Sequence, residues 1–102
     1  MSLNPQSIFV HSIHFNLARL YLESQKTERA VEHLKLAVGL QPANPYDHNM
    51  LGIAYGKEGL YDDAVKEFEM AVRLAPGEAA SSVNLQRALD LRAGAAHVQS
   101  AK

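Results

Sequence analysis

Two stretches of this chain, His11 to Asn44 and Pro45 to Glu78, can be laid on one another without a gap, and nine of the 34 aligned positions are identical. The identical pairs are His14 with His48, Leu17 with Leu51, Tyr21 with Tyr55, Ala30 with Ala64, Val31 with Val65, Ala37 with Ala71, Val38 with Val72, Leu40 with Leu74 and Pro42 with Pro76. A repeat of this length limits the fold sharply. Each unit is a supersecondary element that buries its apolar face only against its neighbours, so the units must stack. With 102 residues there is room for one such domain and no second core, and 47% apolar residues suffice to fill it.

The punctuation inside each unit predicts helices. Asn4-Pro5 is a good helix start, with an amide side chain to cap free backbone N–H groups and a proline at the first helical position. From there Ile8, Phe9, Ser12, Ile13, Leu17, Leu20 and Tyr21 recur at steps of three and four, which predicts one apolar face on a helix reaching about Ser24. Gln25-Lys26 then reads as a turn and Thr27 as a hydroxyl cap for a second helix, whose inward residues would be Ala30, Val31, Leu34, Ala37 and Val38. Pro42 and Pro45 end it, because neither can donate a backbone N–H to a continuing helix. In the second unit Gly59 permits the corresponding turn, Tyr61 precedes the next helix, and Asp62 and Asp63 sit where the helix dipole favours negative charge. Asp62 with Lys66 and Glu69 with Arg73 are acid-before-base pairs suited to a solvated face. A fifth helix is expected from about Ala79 to Arg92, with Val83, Leu85, Ala88 and Leu89 inward and Ser81, Ser82, Gln86, Arg87, Asp90 and Arg92 toward water. Ala93 to Lys102 contains Gly94 and loses the period, so it reads as a frayed extension, and Met1-Ser2-Leu3 reads as a vector remnant.

Leu51-Gly52, Tyr55, Ala64, Phe68, Ala71 and Pro76 fall at the spacing W-x2-L-G-x2-Y, A-x3-F, P, and this pattern resembles the tetratricopeptide repeat family. The first copy carries Leu17, Ala18, Tyr21, Ala30, Leu34, Ala37 and Pro42 at the same places, departing at Ala18, where glycine is usual, and at Leu34, where an aromatic is usual. In both copies a histidine, His14 or His48, stands in place of the leading aromatic. The resemblance implies an all-α, right-handed α-solenoid of two helical hairpins plus a C-terminal capping helix. Residues 1–10 would lead in and extend the first helix, 11–44 and 45–78 would be the two repeats, and 79–102 would be the cap with its tail. Two repeats are fewer than the ~3 that usually make a stable stack, so the long first helix and the cap must compensate.

Members of this family bind other chains on a concave face lined by the first helix of each pair. That implies a non-catalytic module holding a peptide or helix, part of a larger protein or a small adaptor, with Phe15, Arg19, Leu22, Tyr46, Asn49, Met50, Ile53, Val83 and Arg87 in the groove. The alternative is a self-assembling unit or spacer, with Ile8, Phe9 and Phe15 as the contact residues of a homo-oligomer. Chaperone-binding members hold a terminal carboxylate with Lys and Asn on the first groove helix, Asn on the next, and Lys and Arg on the third. Here the matching places hold Phe15, Arg19, Met50, Ala80 and Asn84, so a chaperone C-terminal tail is not expected as partner.

Other chemistries find little footing. The 10 basic residues are balanced by 11 acidic ones, which removes the broad positive field that a phosphate backbone requires. The chain has no cysteine, hence no disulfide framework or thiolate nucleophile, and no apolar run approaches the ~18 residues of a membrane span. A soluble, cytoplasmic protein without cofactor or nucleic acid is expected. His11, His14 and His48 are the candidate metal ligands, since the first two lie three apart on one helix, but no carboxylate is spaced to complete the set. Ser81-Ser82 lacks a neighbouring base, and Gly52, Gly56 and Gly59 match no phosphate-binding loop, so close packing and a turn account for them.

Overall fold

A computed structural model describes residues 5–100 of the chain, and side chains over 6–96. The readings of Met1 to Leu3 and of Asn4 as a cap, like the end of the tail at Ala101 and Lys102, lie outside the described residues. The architecture is an all-α solenoid of five helices: α1 (Pro5–Glu23), α2 (Thr27–Leu40), α3 (Pro45–Lys57), α4 (Tyr61–Leu74) and α5 (Ala79–Ser100). α1 pairs with α2 and α3 with α4, while α2 also packs on α3 and α4 on α5.

The break at Gln41 to Asn44 is held by side chains as well as by prolines. Asn44 caps α3, its side-chain oxygen accepting the backbone N–H of Tyr46 at 2.9 Å and of Asp47 at 3.4 Å, with Pro45 at the first helical position. Within each hairpin the turn is the same. The Lys26 N–H donates to the Tyr21 carbonyl at 2.8 Å, and the Leu60 N–H, 34 residues on, donates to the Tyr55 carbonyl at 2.9 Å. Gly59 makes this turn at φ 78°, and Gln25 makes it at φ 63°, a left-handed conformation that glycine tolerates and glutamine does not favour. Because the reversal occurs at Gln25, Lys26 becomes the cap of α2 and makes no side-chain capping bond. Thr27, expected to cap, is instead the first helical residue, and Tyr61 likewise opens α4.

The core is built from small residues facing large ones. One cluster joins Ala18, Leu22, Ala30, Val31 and Leu34 to Leu51 and Ala54 of α3, and a second joins Ala64, Val65 and Phe68 to Ala88 of α5. Tyr55 packs against both, so the second hairpin is tied to its neighbours on either side. A side chain at Gly52 would collide with Phe68: a Cβ there would lie 2.6 Å from Cε1 of the ring.

The buried stripe of α1 differs from the expected one. His11, Ala18 and Leu22 are buried, whereas Ile8, Phe9, Ile13 and Leu20 are about half exposed or more. The repeat register supplies the reason. Ile13 and Leu20 correspond to Asp47 and Ala54, each fully buried, and to Ser81 and Ala88, both 5% exposed or less, in the following units. These positions face the preceding hairpin, and among the described residues nothing packs on that side of α1. The same register corrects α5: Ser81 is buried and Val83 is exposed, the reverse of the sequence expectation. α5 also continues to Ser100 instead of losing its period after Arg92, because alanines at 93, 95 and 96 favour helix and offset Gly94. Asp62 meets Arg92 of α5 at 3.4 Å in place of Lys66, so the outer charge pair links two helices.

Candidate functional site

The odd-numbered helices form a row joined by polar side chains. Between α1 and α3, His11 Nε2 lies 2.6 Å from Asp47 Oδ2, and the second oxygen of this buried carboxylate has no hydrogen-bond partner among the described residues. Burial pushes the Asp47 carboxyl above its ordinary value, opposed by the hydrogen bond from His11 and by the charges of His11 and His48. Between α3 and α5, Asn49 Oδ1 accepts from Asn84 at 3.1 Å and from the Ser81 hydroxyl at 3.4 Å. Asp47 and Ser81 are register equivalents, so each unit reaches back to the one before it through a buried polar group at one position.

Along this row Arg19, Tyr46, Val83 and Arg87 are exposed, and Phe15, Asn49, Met50 and Ile53 are half-buried between them. Phe15 stacks on His11 with ring centroids 6.3 Å apart, and Tyr46 reaches Glu78 at 3.5 Å. Leu22 is the exception: it is 8% exposed and belongs to the core with Ala30, Val31, Leu34, Leu51 and Ala54, so its side chain is spent on packing. Beyond Ile53 the row opens into a cleft of about 380 Å³ among α3, α4 and α5, lined by buried Gly52, Phe68 and Ala88, half-buried Gly56, and exposed Lys57, Arg87 and Leu91. Among the described residues neither Lys57 nor Arg87 has a carboxylate partner. Gly56 reads in the sequence only as close packing or a turn; comparing it with Leu22 in the register marks the gap.

The histidines have separate partners. His48 Nε2 donates to the Pro42 carbonyl at 2.7 Å while Nδ1 lies 2.8 Å from Glu67, and His14 Nδ1 lies 2.8 Å from Nδ1 of His33. Glu67 and His33 are again 34 residues apart, so the position expected to carry an aromatic is pinned to the second helix of its own hairpin in both units. His33 also stacks on Tyr21 at 5.5 Å. The set His11, His14 and His48 is therefore divided among three contacts, and among the described residues no group of three His, Asp or Glu could hold a metal ion. Desolvation, with the charges of His33 and His11, holds the His14 pKa below its ordinary value.

Comparison with known proteins agrees with this geometry. The family model described as "Tetratricopeptide repeat" matches residues 11–44 and 48–78. The chain belongs to the tetratricopeptide repeat family. This family is a non-catalytic helical scaffold. No curated protein matches the chain. Among solved structures, the first tetratricopeptide domain of Spaghetti (RPAP3), bound to the HSP90 peptide SRMEEVD, is similar with a TM-score of 0.78 and 22% identity; the match covers 81% of this chain and 66% of that one. This likeness carries the fold. It also overturns the expectation that a chaperone tail is excluded, since a domain of the same fold holds such a peptide. The exclusion rested on five positions, Phe15, Arg19, Met50, Ala80 and Asn84, and left out the cations Lys57 and Arg87 beside them. Among the described residues, no helix is long and apolar enough to cross a membrane.

Proposed function

We propose that this chain is a peptide-binding tetratricopeptide module whose units are 11–44, 45–78 and the closing helix from 79, and that it receives an extended segment or an amphipathic helix across α1, α3 and α5. The observation that carries the reading is the division of labour among side chains. The motif residues Ala18, Ala30, Leu34, Leu51, Ala64 and Phe68 are consumed by the two core clusters, while along the row of odd helices Arg19, Tyr46, Asn49, Val83 and Arg87 stand outside those clusters and Phe15, Met50 and Ile53 pack on their edges with part of each side chain still open. Apolar anchors with a few orienting polar groups on a rigid helical row suit recognition of a partner segment. The similar domain's ligand, an acidic tail, makes SRMEEVD a first probe of this surface.

The test is selection of random dodecapeptides displayed on phage against the immobilised protein, followed by fluorescence anisotropy of the enriched peptides and of SRMEEVD. Tyr46→Ala and Val83→Arg alter exposed positions on the row and should weaken the enriched peptides about tenfold, ~1.4 kcal/mol. Binding that survives both substitutions in a folded, helical protein would place the site elsewhere.

A further inference from the structure

The two units treat one register position in opposite ways. In the first, Leu22 is nearly buried in the core that α1 shares with α2 and α3. Thirty-four residues on, Gly56 occupies that place between α3 and α5, and a Cβ built there meets nothing within 4 Å. The cleft of about 380 Å³ includes the place that a side chain at this register position would enter, left open by a glycine. Its depth is apolar, with Phe68 and Ile53, and its exposed edge carries Lys57 and Arg87.

Resting on the peptide-binding reading above, we infer that this cleft is a specificity pocket for an acidic segment: an apolar side chain of the partner enters the space over Gly56, and a neighbouring Asp or Glu pairs with Lys57 and Arg87. The gap is large enough to admit a branched or aromatic side chain, which would gain apolar contacts there as Leu22 does in the core of the first unit. The charge of the partner follows from the two cations. Arg87 can hold a carboxylate through two parallel N–H donors, and Lys57 adds a point charge, whereas a basic segment would meet like charge at the same edge. In the first unit the corresponding residue to Lys57 is Glu23, so filling by Leu22 and loss of the basic charge go together.

The chain itself supplies the decisive variant. Gly56→Leu copies the first unit and should fold, since leucine favours helix and the space is empty. Peptides enriched from the phage library on the wild-type protein are expected to share an apolar residue next to Asp or Glu, and to lose tenfold or more in affinity on Gly56→Leu and on Arg87→Glu. Replacing their acids by Asn or Gln should cost a similar factor. Enriched peptides that lack an acid, or that bind Gly56→Leu and Arg87→Glu as well as wild type, would overturn the pocket. If those peptides are still lost on Val83→Arg, the groove stands and only the pocket falls; if no peptide is enriched, or none responds to any substitution, both fall. Arg87→Glu and the acid-to-amide peptides leave the core untouched, so the test does not depend on the folding of Gly56→Leu.

Discussion

Gly52 and Phe68 are a matched pair: the ring of Phe68 lies against the backbone of Gly52 so closely that a Cβ would stand 2.6 Å from Cε1 and 2.7 Å from Cδ1. The first unit has Ala18 and Leu34 at these places, both fully buried. The extra methyl and the smaller side chain have been exchanged together. Gly52→Ala is therefore expected to cost on the order of 1 to 3 kcal/mol by overpacking, since the buried ring has little room to move. Adding Phe68→Leu should recover most of that loss by restoring the pairing of the first unit. Urea unfolding of the two singles and the double checks it, and additive losses would show that the two positions do not share the space.

Gln25 should be replaceable with profit. It takes φ 63° in the turn that Gly59 makes in the second hairpin. Gln25→Gly removes the crowding of a side chain in the left-handed region, offset in part by the freedom glycine gains in the unfolded chain. A gain of up to about 1 kcal/mol is expected, visible as a rise in melting temperature. A lower melting temperature would mean that Gln25 contributes contacts outweighing its strain.

His11 and Asp47 should respond unequally to truncation. His11→Ala leaves the fully buried Asp47 without its histidine and should cost about 3 kcal/mol at neutral pH. Asp47→Asn keeps a hydrogen-bonding group of the same shape and removes the burial cost that raises the carboxyl pKa, so it should be much milder. The sign is testable as well. A raised carboxyl pKa gives a contribution that is full below the ordinary value of 3.8 and lost as pH rises through the folded value. The loss on Asp47→Asn should therefore grow as pH falls toward 4, where the wild-type carboxyl is relieved of its buried charge. Equal losses for the two substitutions at neutral pH would contradict the pair as described.

His14 gives the first hairpin an acid sensitivity. Its pKa is held below 6.5, so the fold favours the neutral ring; its contribution is intact above 6.5 and declines as pH falls below that value toward the folded pKa. His33→Glu places at this contact the residue type that Glu67 provides beside His48, and protonated His14 would then meet a carboxylate instead of a second imidazole. Melting temperatures between pH 7 and 5 should fall less steeply in His33→Glu than in wild type. An unchanged slope would remove the His14–His33 contact as the cause.

The sequence by itself determined the repeat, the number of helices and most of the core, because these follow from local quantities: the 34-residue register, the prolines at 42, 45 and 76, and apolar residues at helical spacing. Ala30, Leu34, Leu51, Ala64, Phe68 and Ala71 all proved buried as the pattern required. Periodicity marks which residues share a face of a helix, however, and not which face meets another unit. That was decided by stacking. Ile13 is apolar yet exposed while its register equivalents Asp47 and Ser81 are polar yet buried, and Leu20 is exposed where Ala54 and Ala88 are buried, because a position is covered only when a preceding hairpin lies against it. The candidate site was legible in part for the same reason. The row of odd helices follows from the repeat, but Leu22 was lost to packing between units and the cleft at Gly56 gained from it. Both outcomes depend on the space between α1, α3 and α5, which no single helix contains.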